Sequence, residues 1–141
     1  MGFPIMDGSA NTTDAVNQAK ADSKDTFQIK RYGDIAIIIP SSEIEGLPSN
    51  LIEPAAQMVL APLRENPPTH LVVDLSNVSY FGSEFISFLL RCHLLVKRRD
   101  SELVLAGVSE RIRELLRMMN LDTLWAIYDD RAEAIAALGG D

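Results

Sequence analysis

Hydrophobic and polar residues alternate in blocks along the chain from Phe27 onward. An apolar segment beginning at Phe27 and a second one at residues 35–39 flank a break at Tyr32-Gly33-Asp34. This pattern predicts two strands joined by a tight turn. The second segment is apolar throughout, which is typical of a strand that is covered on both faces of its sheet.

Three longer segments repeat their apolar residues every three or four positions, a spacing that predicts helices. The first ends before Pro67-Pro68, the second begins at Ser83, and the third is capped by Ser109 and ends at Asn120. The expected core-facing positions are Leu51, Ile52, Ala55, Ala56, Val59, Leu60 and Leu63; Phe85, Phe88, Leu89, Cys92 and Val96; and Ile112, Leu115, Leu116 and Met119. The polar side of the second helix is narrow, so Leu94 or Leu95 is expected near the surface.

Short apolar segments between and after these helices predict three further strands, at residues 70–75, 102–106 and 124–128. A last helix is predicted over 130–138; it contains Arg131, Ala132, Ile135 and Ala136 and is followed by Gly139-Gly140. Strands 35–39 and 70–75 need the helix between them as a crossover if they are parallel. The whole pattern predicts an α/β sandwich with a mixed sheet of four to five strands and about four helices.

The two ends of the chain lack this periodicity. Residues 1–25 are rich in polar residues and are predicted to be a flexible leader, although 15–21 is compatible with a marginal helix and a docking tail is the alternative. The domain is placed at 26–138, and residues 139–141 are expected to be a disordered tail.

Composition excludes several classes of function. The 141 residues are enough for one domain, and 13 basic against 20 acidic residues give a net charge of −7. Nucleic acid is therefore not an expected partner, because its binding gains affinity from lysine and arginine. The single Cys92 cannot form an internal disulfide, and no apolar run reaches the ~18 residues of a membrane span. Together these features predict a cytoplasmic protein without membrane insertion.

The sequence offers little that resembles catalytic or cofactor chemistry. It has no glycine-rich phosphate loop, no HExxH and no cysteine pair, so no enzyme activity, cofactor or metal is expected. His70 and His93 are interpreted as structural, since neither has a second ligand at a workable spacing. Asp74 ends a strand as the phospho-acceptor of a receiver domain does, but the acidic pair and lysine of such a site are missing. Asp74 is therefore interpreted as a turn or cap residue.

The stretch from Asn77 to Phe85 joins a predicted strand to the second helix, and Ser83 lies at the junction. A serine at this place is expected to cap the helix, its hydroxyl oxygen accepting hydrogen bonds from the first free N–H groups. The same helix end would favour a phosphate on the hydroxyl. The two interpretations, a simple cap and a modification site, both remain open at this point.

From residue 27 to 138 the sequence resembles a STAS domain, the fold of bacterial anti-anti-sigma factors. The resemblance rests on the strand and loop at 70–81, the junction at Ser83, the strand at 102–106 and the helix at 112–121. The family's junction usually reads Asp-Ser-Ser-Gly, and its first serine is phosphorylated by a partner kinase that is also the anti-sigma factor. Ser83 matches that serine, whereas Gly82, Glu84 and Phe85 replace the other three residues, and Asn120 stands where a glycine is usual.

The resemblance implies a regulatory module that binds an anti-sigma factor and serine kinase of the GHKL type, with phosphorylation of Ser83 as the off switch. The implied binding surface consists of Phe81, Gly82, Ser83, Glu84, Ser87, Ser41 and Ser42. Glu84 favours the helix start through the macrodipole but would repel a phosphate on Ser83. The alternatives are a STAS scaffold subunit that is not phosphorylated, in a signalling or lipid-transport complex, and a nucleotide or small-ligand binding domain.

Overall fold

The computed structural model describes residues 26–97 and 101–139 of the chain. The predicted leader at 1–25, with the marginal helix at 15–21, lies outside the described residues. Of the predicted tail at 139–141, only Gly139 is described. The predicted disorder of both ends therefore stays a prediction.

Within the described ranges, strands and helices alternate as the hydrophobic pattern predicts. In chain order they are β1 (Phe27–Tyr32), β2 (Ile35–Pro40), a 3-10 turn (Ser42–Glu45), α1 (Ser49–Glu65), β3 (His70–Asp74), α2 (Ser83–Lys97), β4 (Leu103–Ala106), α3 (Glu110–Met118), β5 (Ile127–Tyr128) and α4 (Arg131–Ala137). The α/β class, the mixed sheet of five strands and the four helices are confirmed.

The sheet is built in chain order, β1-β2-β3-β4-β5. β1 is antiparallel to β2, with Tyr32 opposite Ile35, and Gly33 turns the chain between them at a φ of +61°. β2, β3, β4 and β5 are parallel neighbours. Because parallel strands end on the same side, the loops that follow them meet at one border of the sheet. We call this border the carboxyl edge; it consists of residues 41–45, 75–83, 107–111 and 129–131.

Alternate residues of the strands enter two separate cores, which explains why β2 is apolar throughout. One face contributes Ala36, Ile38, Leu71, Val73, Leu103 and Leu105 to a core shared with α1, α2 and α3. The other face contributes Ile35, Ile37, Ile39, Val72, Val104 and Ala106 to a smaller core with α4. The prediction that β2 is covered on both faces is confirmed, since all of its residues are buried.

Four phenylalanines fix the start of α2 to the sheet. The ring of Phe85 lies 4.6 Å from that of Phe81 and 5.3 Å from that of Phe88, measured between ring centroids. Phe27 of β1 completes the cluster, 5.1 Å from Phe88 and 6.2 Å from Phe85. Phe85 is therefore a core residue with no exposed surface.

The predicted inner side of α2 is confirmed, because Phe85, Phe88, Leu89, Cys92 and Val96 are all buried. Leu94 is exposed and Leu95 is half-buried, as the narrow polar side of this helix indicates. Asn120 ends the α3 region with a φ of +61°, and the Ser109 hydroxyl accepts a hydrogen bond from Ile112 N at 3.2 Å. The predicted cap at Ser109 and the predicted helix end at Asn120 are therefore confirmed.

Some predicted core positions in the first and third helices are wrong. Leu51 is exposed because it lies one residue, about 100° of helical rotation, away from the buried Ile52. Met119 is exposed at the end of α3, where it is the residue that follows the last helical position.

The last strand and the last helix also differ from the prediction. The predicted strand at 124–128 is reduced to Ile127–Tyr128, because Trp125 is buried and its Nε1 donates a hydrogen bond to Nδ1 of His93 at 3.1 Å. α4 begins after Asp130, which caps it, and it buries Ala134. The side facing the sheet contains Ala134, Ile135 and Leu138.

We expect Phe85→Ala to lower the free energy of unfolding by about 3–5 kcal/mol, because it removes the centre of the aromatic cluster and leaves a cavity. The matched control is Leu94→Ala on the same helix. Its side chain is exposed, so its effect should stay within about 0.5 kcal/mol. Denaturant titration of both variants measures the difference, and equal stabilities would contradict the packing role of Phe85.

We expect His93 to make the protein less stable as the pH falls below about 6.5, the ordinary histidine pKa. Burial, together with the charge of Lys97, lowers the pKa of His93, so the unfolded chain binds the proton more tightly than the folded one. Protonation also removes the acceptor that Trp125 uses. In His93→Gln this contribution to the pH dependence of the unfolding midpoint should vanish; an unchanged dependence between pH 7 and 5 would contradict the assignment. Fluorescence of Trp125, the single tryptophan, provides a local signal.

Candidate functional site

Ser79 forms hydrogen bonds that connect three of the loops at the carboxyl edge. Its N–H donates to the Glu45 carboxylate at 3.0 Å, and its hydroxyl lies 3.1 and 3.2 Å from the two oxygens of the same group. The Ser109 hydroxyl donates to the Ser79 carbonyl at 2.9 Å. Because Ser109 also caps α3, the loop before Ser83 is fixed to the 3-10 turn on one side and to α3 on the other.

Asp74 forms a second set of contacts beneath this edge. It is buried, accepts hydrogen bonds from the N–H and hydroxyl of Ser76, and pairs with Nε of Arg131 at 2.9 Å. Burial would raise the pKa of Asp74, but the Ser76 hydrogen bonds and the Arg131 charge outweigh it and lower the pKa. The turn interpretation of Asp74 is confirmed by Ser76, and the ion pair joins the end of β3 to the start of α4.

Gly107 lets the loop after β4 approach Ser76 closely. Its φ of +65° lies in the left-handed region, and a Cβ added there would be 2.9 Å from Cβ of Ser76 and 3.1 Å from its backbone. A side chain at this position would force the two loops apart. The glycine therefore sets the spacing between the loops that follow β3 and β4.

Ser83 is the first residue of α2 rather than the residue before it. Gly82 occupies the capping position, its carbonyl accepting from Phe85 N at 3.2 Å and Ile86 N at 3.3 Å. The prediction that the Ser83 hydroxyl caps the helix is wrong, because the helix starts one residue earlier than a serine cap requires. Among the described residues, this hydroxyl has no hydrogen-bond partner, and Ser83 is exposed.

The structure separates the predicted binding residues into exposed and buried ones. Gly82, Ser83, Glu84 and Ser87 are exposed on the first two turns of α2 and the residue before them. Phe81 is buried against Phe85, so its inclusion in the contact surface is corrected: its side chain supports the site from the core.

Ser41 and Ser42 lie at the 3-10 turn of the same edge, and no contact in the described part of the chain joins them to Ser83. Ser42 is exposed, whereas Ser41 is half-buried and its hydroxyl accepts from Glu43 N at 3.2 Å. The two serines thus share the carboxyl edge with Ser83 without forming one cluster with it.

The backbone at position 82 does not require a glycine. Gly82 does not have a left-handed φ, and a Cβ added there would meet only Oε1 of Glu84, at an ordinary 3.5 Å. An aspartate at this position would instead place two carboxylates side by side. Space therefore does not exclude a side chain at position 82, but a carboxylate there would be repelled by Glu84.

Tyr80 and Arg111 form a part of the edge that the sequence did not indicate. The guanidinium carbon of Arg111 lies 4.6 Å from the centre of the Tyr80 ring, a cation–π contact between the loop before α2 and the first turn of α3. Tyr80 is 39% exposed. Acidic residues begin the neighbouring helical segments, at Glu43, Glu84 and Glu110.

Other features of the described ranges offer no further chemistry near Ser83. No three His, Cys, Asp or Glu side chains in these ranges are grouped so that they could hold a metal ion. Burial raises the pKa of Cys92 to about 12, so its thiol stays protonated. A cleft of about 420 Å³ lined by His93, Lys97 and Glu102 contains none of the predicted site residues. None of the described helices combines the length and the apolar character that crossing a membrane requires.

Comparison with known proteins gives a consistent result. Residues 26–134 match the family model of the STAS domain. The chain is 32% identical over 76 residues to the anti-sigma-B factor antagonist of Staphylococcus aureus, covering 54% of this chain and 70% of that protein. It is 22% identical over 112 residues to the anti-sigma F factor antagonist of Paenibacillus polymyxa, covering 79% and 93%. The solved anti-sigma-factor antagonist (STAS) domain protein from Planctomyces limnophilus has a TM-score of 0.72 and 25% identity, covering 81% and 98%.

We expect Asp74→Asn to lower the free energy of unfolding at pH 7 by about 2 kcal/mol, the usual range for a hydrogen bond to a charged group. Because the folded pKa of Asp74 is lowered, its contribution is present above the unfolded value of about 3.9 and is lost as the pH falls through the folded one. The difference from wild type should therefore shrink below about pH 4. Urea unfolding as a function of pH measures it, with the exposed Asp129→Asn as the control; a deficit that stays constant down to pH 2.5 would contradict the assignment.

Proposed function

Because the chain belongs to the STAS domain family, we propose that it binds an anti-sigma factor through the carboxyl edge and thereby antagonises it. The two curated relatives are named for this antagonism, and the fold that carries it is shared by the chain. On this proposal the protein is a regulatory binding module without enzyme activity, and it acts in the cytoplasm.

The position of Ser83 is the observation on which the proposal rests. This serine is exposed on the first turn of α2, with Gly82, Glu84 and Ser87 exposed around it. Beneath it, Phe81 and Phe85 are fixed in the core, and the preceding loop is bonded to its neighbours through Ser79. A surface of this kind presents the Ser83 hydroxyl to a partner on a framework that does not need to rearrange.

The partner that we propose is an anti-sigma factor that is also a serine kinase of the GHKL type, with Ser83 as its phosphorylation site. Phosphate would add about −1.5 to −2 charges beside Glu84. Because Glu43 and Glu110 begin neighbouring helical segments of the same edge, an acidic surface would become more acidic. A kinase bound to the unmodified surface would then be released, because repulsion among the negative charges of the edge and the cost of desolvating the phosphate oppose rebinding.

A panel of purified GHKL-type kinases from the source organism tests the proposal directly. We expect one of them to bind the wild-type chain and, with ATP, to add one phosphate at Ser83, detected by mass spectrometry. Ser83→Ala should bind and remain unmodified, whereas Ser83→Glu should weaken binding at least tenfold. Thr69→Glu, a change at an exposed residue on the opposite edge of the sheet, serves as the matched control and should bind like wild type.

The outcomes separate the proposed function from its alternatives. Binding without phosphorylation, equal for wild type and both Ser83 variants, would favour the scaffold role. Absence of binding to every kinase in the panel would contradict the proposed partner, and saturable binding of ATP or GTP to the chain alone would favour a nucleotide-binding domain.

A further inference from the structure

Tyr80 is an exposed aromatic side chain that the fold holds in one place. Its ring is 39% exposed, and Arg111 lies over the ring at 4.6 Å. The residue before it, Ser79, is bonded through its N–H and hydroxyl to Glu45 and through its carbonyl to Ser109. The residue after it, Phe81, is buried. Tyr80 thus projects from a backbone that is fixed on both sides, so little conformational freedom is lost when a partner contacts it.

Arg111 is fixed near the ring but keeps its hydrogen-bonding capacity. It is exposed on the first turn of α3, and among the described residues its guanidinium has no carboxylate or carbonyl partner. By contrast, Arg131 at the same edge is paired with Asp74. A guanidinium presents its N–H donors in a planar fork that suits a carboxylate. Arg111 can therefore donate hydrogen bonds to a carboxylate while it remains stacked on Tyr80.

We propose that Tyr80 and Arg111 are the anchor that determines which partner the carboxyl edge accepts. The partner places an apolar side chain on the exposed part of the Tyr80 ring and an Asp or Glu carboxylate on the Arg111 guanidinium. Tyrosine and arginine are the residue types that most often dominate binding at protein interfaces. The inference rests on the proposed function, because it assigns residues to the partner surface around Ser83.

The anchor and the Ser83 switch have different physical roles. Ser83 changes charge when it is modified, whereas Tyr80 and Arg111 supply contact area and a fixed cation that modification leaves in place. Affinity for the unmodified chain should therefore depend on Tyr80 and Arg111, and release should depend on Ser83. Tyr80 lies on the short loop that leads into α2, and Arg111 reaches it from α3, so the anchor lies at the same carboxyl edge as Ser83.

The test measures the affinity of the kinase selected in the panel for variants of the full chain. Every variant carries Ser83→Ala, so that phosphorylation cannot contribute. We expect Tyr80→Ala to weaken binding at least 30-fold, the loss typical of a dominant interface residue. Tyr80→Phe should stay within about threefold of the parent, because the ring and its stacking are kept. Arg111→Met should weaken binding about tenfold at low salt and less at high salt, since a charged pair is lost.

Matched controls use residues of the same type elsewhere on the surface. Tyr32→Ala removes a tyrosine that is 42% exposed at the opposite edge of the sheet, and Arg64→Met removes an exposed arginine of α1. Both should bind like the parent. Thermal unfolding of each variant shows whether the fold is intact, and Arg111→Met keeps the test decisive if Tyr80→Ala unfolds.

Each outcome supports or overturns the anchor. Full affinity of Tyr80→Ala, with Ser83→Glu still weakened, would overturn the anchor and leave the proposed function standing. Tyr80→Phe as weak as Tyr80→Ala would overturn the apolar contact, and unchanged affinity of Arg111→Met would overturn the carboxylate contact. If no kinase binds, the proposed function fails and the anchor fails with it.

Discussion

Parallel alignment of β2, β3, β4 and β5 is the constraint on which the rest of the structure depends. Each parallel connection must return across the sheet, so helices cover its faces and the strands become apolar on both sides. The same alignment collects the loops after these strands at one border. Three residues then determine how closely those loops pack. Ser79 forms hydrogen bonds between loops, Asp74 forms an ion pair, and Gly107 has no side chain to hold its loop away from Ser76. The candidate site is therefore a product of topology rather than of one motif.

The junction at Ser83 combines an exposed functional residue with a buried structural one two positions later. In place of the family's glycine, Phe85 packs with Phe27, Phe81 and Phe88 and so connects the start of α2 to the edge strand β1. This core contact compensates for a bulky residue at a place where the family has a small one. Gly82 and Glu84 move the single carboxylate of the junction from the position before Ser83 to the position after it. Ser83 itself is exposed.

The hydrophobic pattern was sufficient for the order of elements, the double burial of β2, the inner side of α2 and the left-handed Asn120, because these depend on local spacing. The contacts that shape the site were not predictable in this way. Asp74 and Arg131 are 57 residues apart, and Ser79 is separated from Glu45 by 34. Such pairs follow from the order and register of the strands in the sheet, which the spacing of hydrophobic residues does not specify. The exception was Asp74, whose place at a strand end indicated a polar role before its partner was known.

The short helix α4 has a consequence for the synthesis of the chain. It covers the second face of the sheet, yet it follows every strand that it covers. While the ribosome makes the protein from its amino terminus, Ile37, Val72 and Val104 emerge with one side bare until residues 131–138 have left the exit tunnel. During that interval the nascent sheet presents an apolar surface to solvent, and transiently exposed surfaces of this kind favour aggregation. Burial of this face of the first strands is therefore complete only after the last residues of the domain have been synthesised.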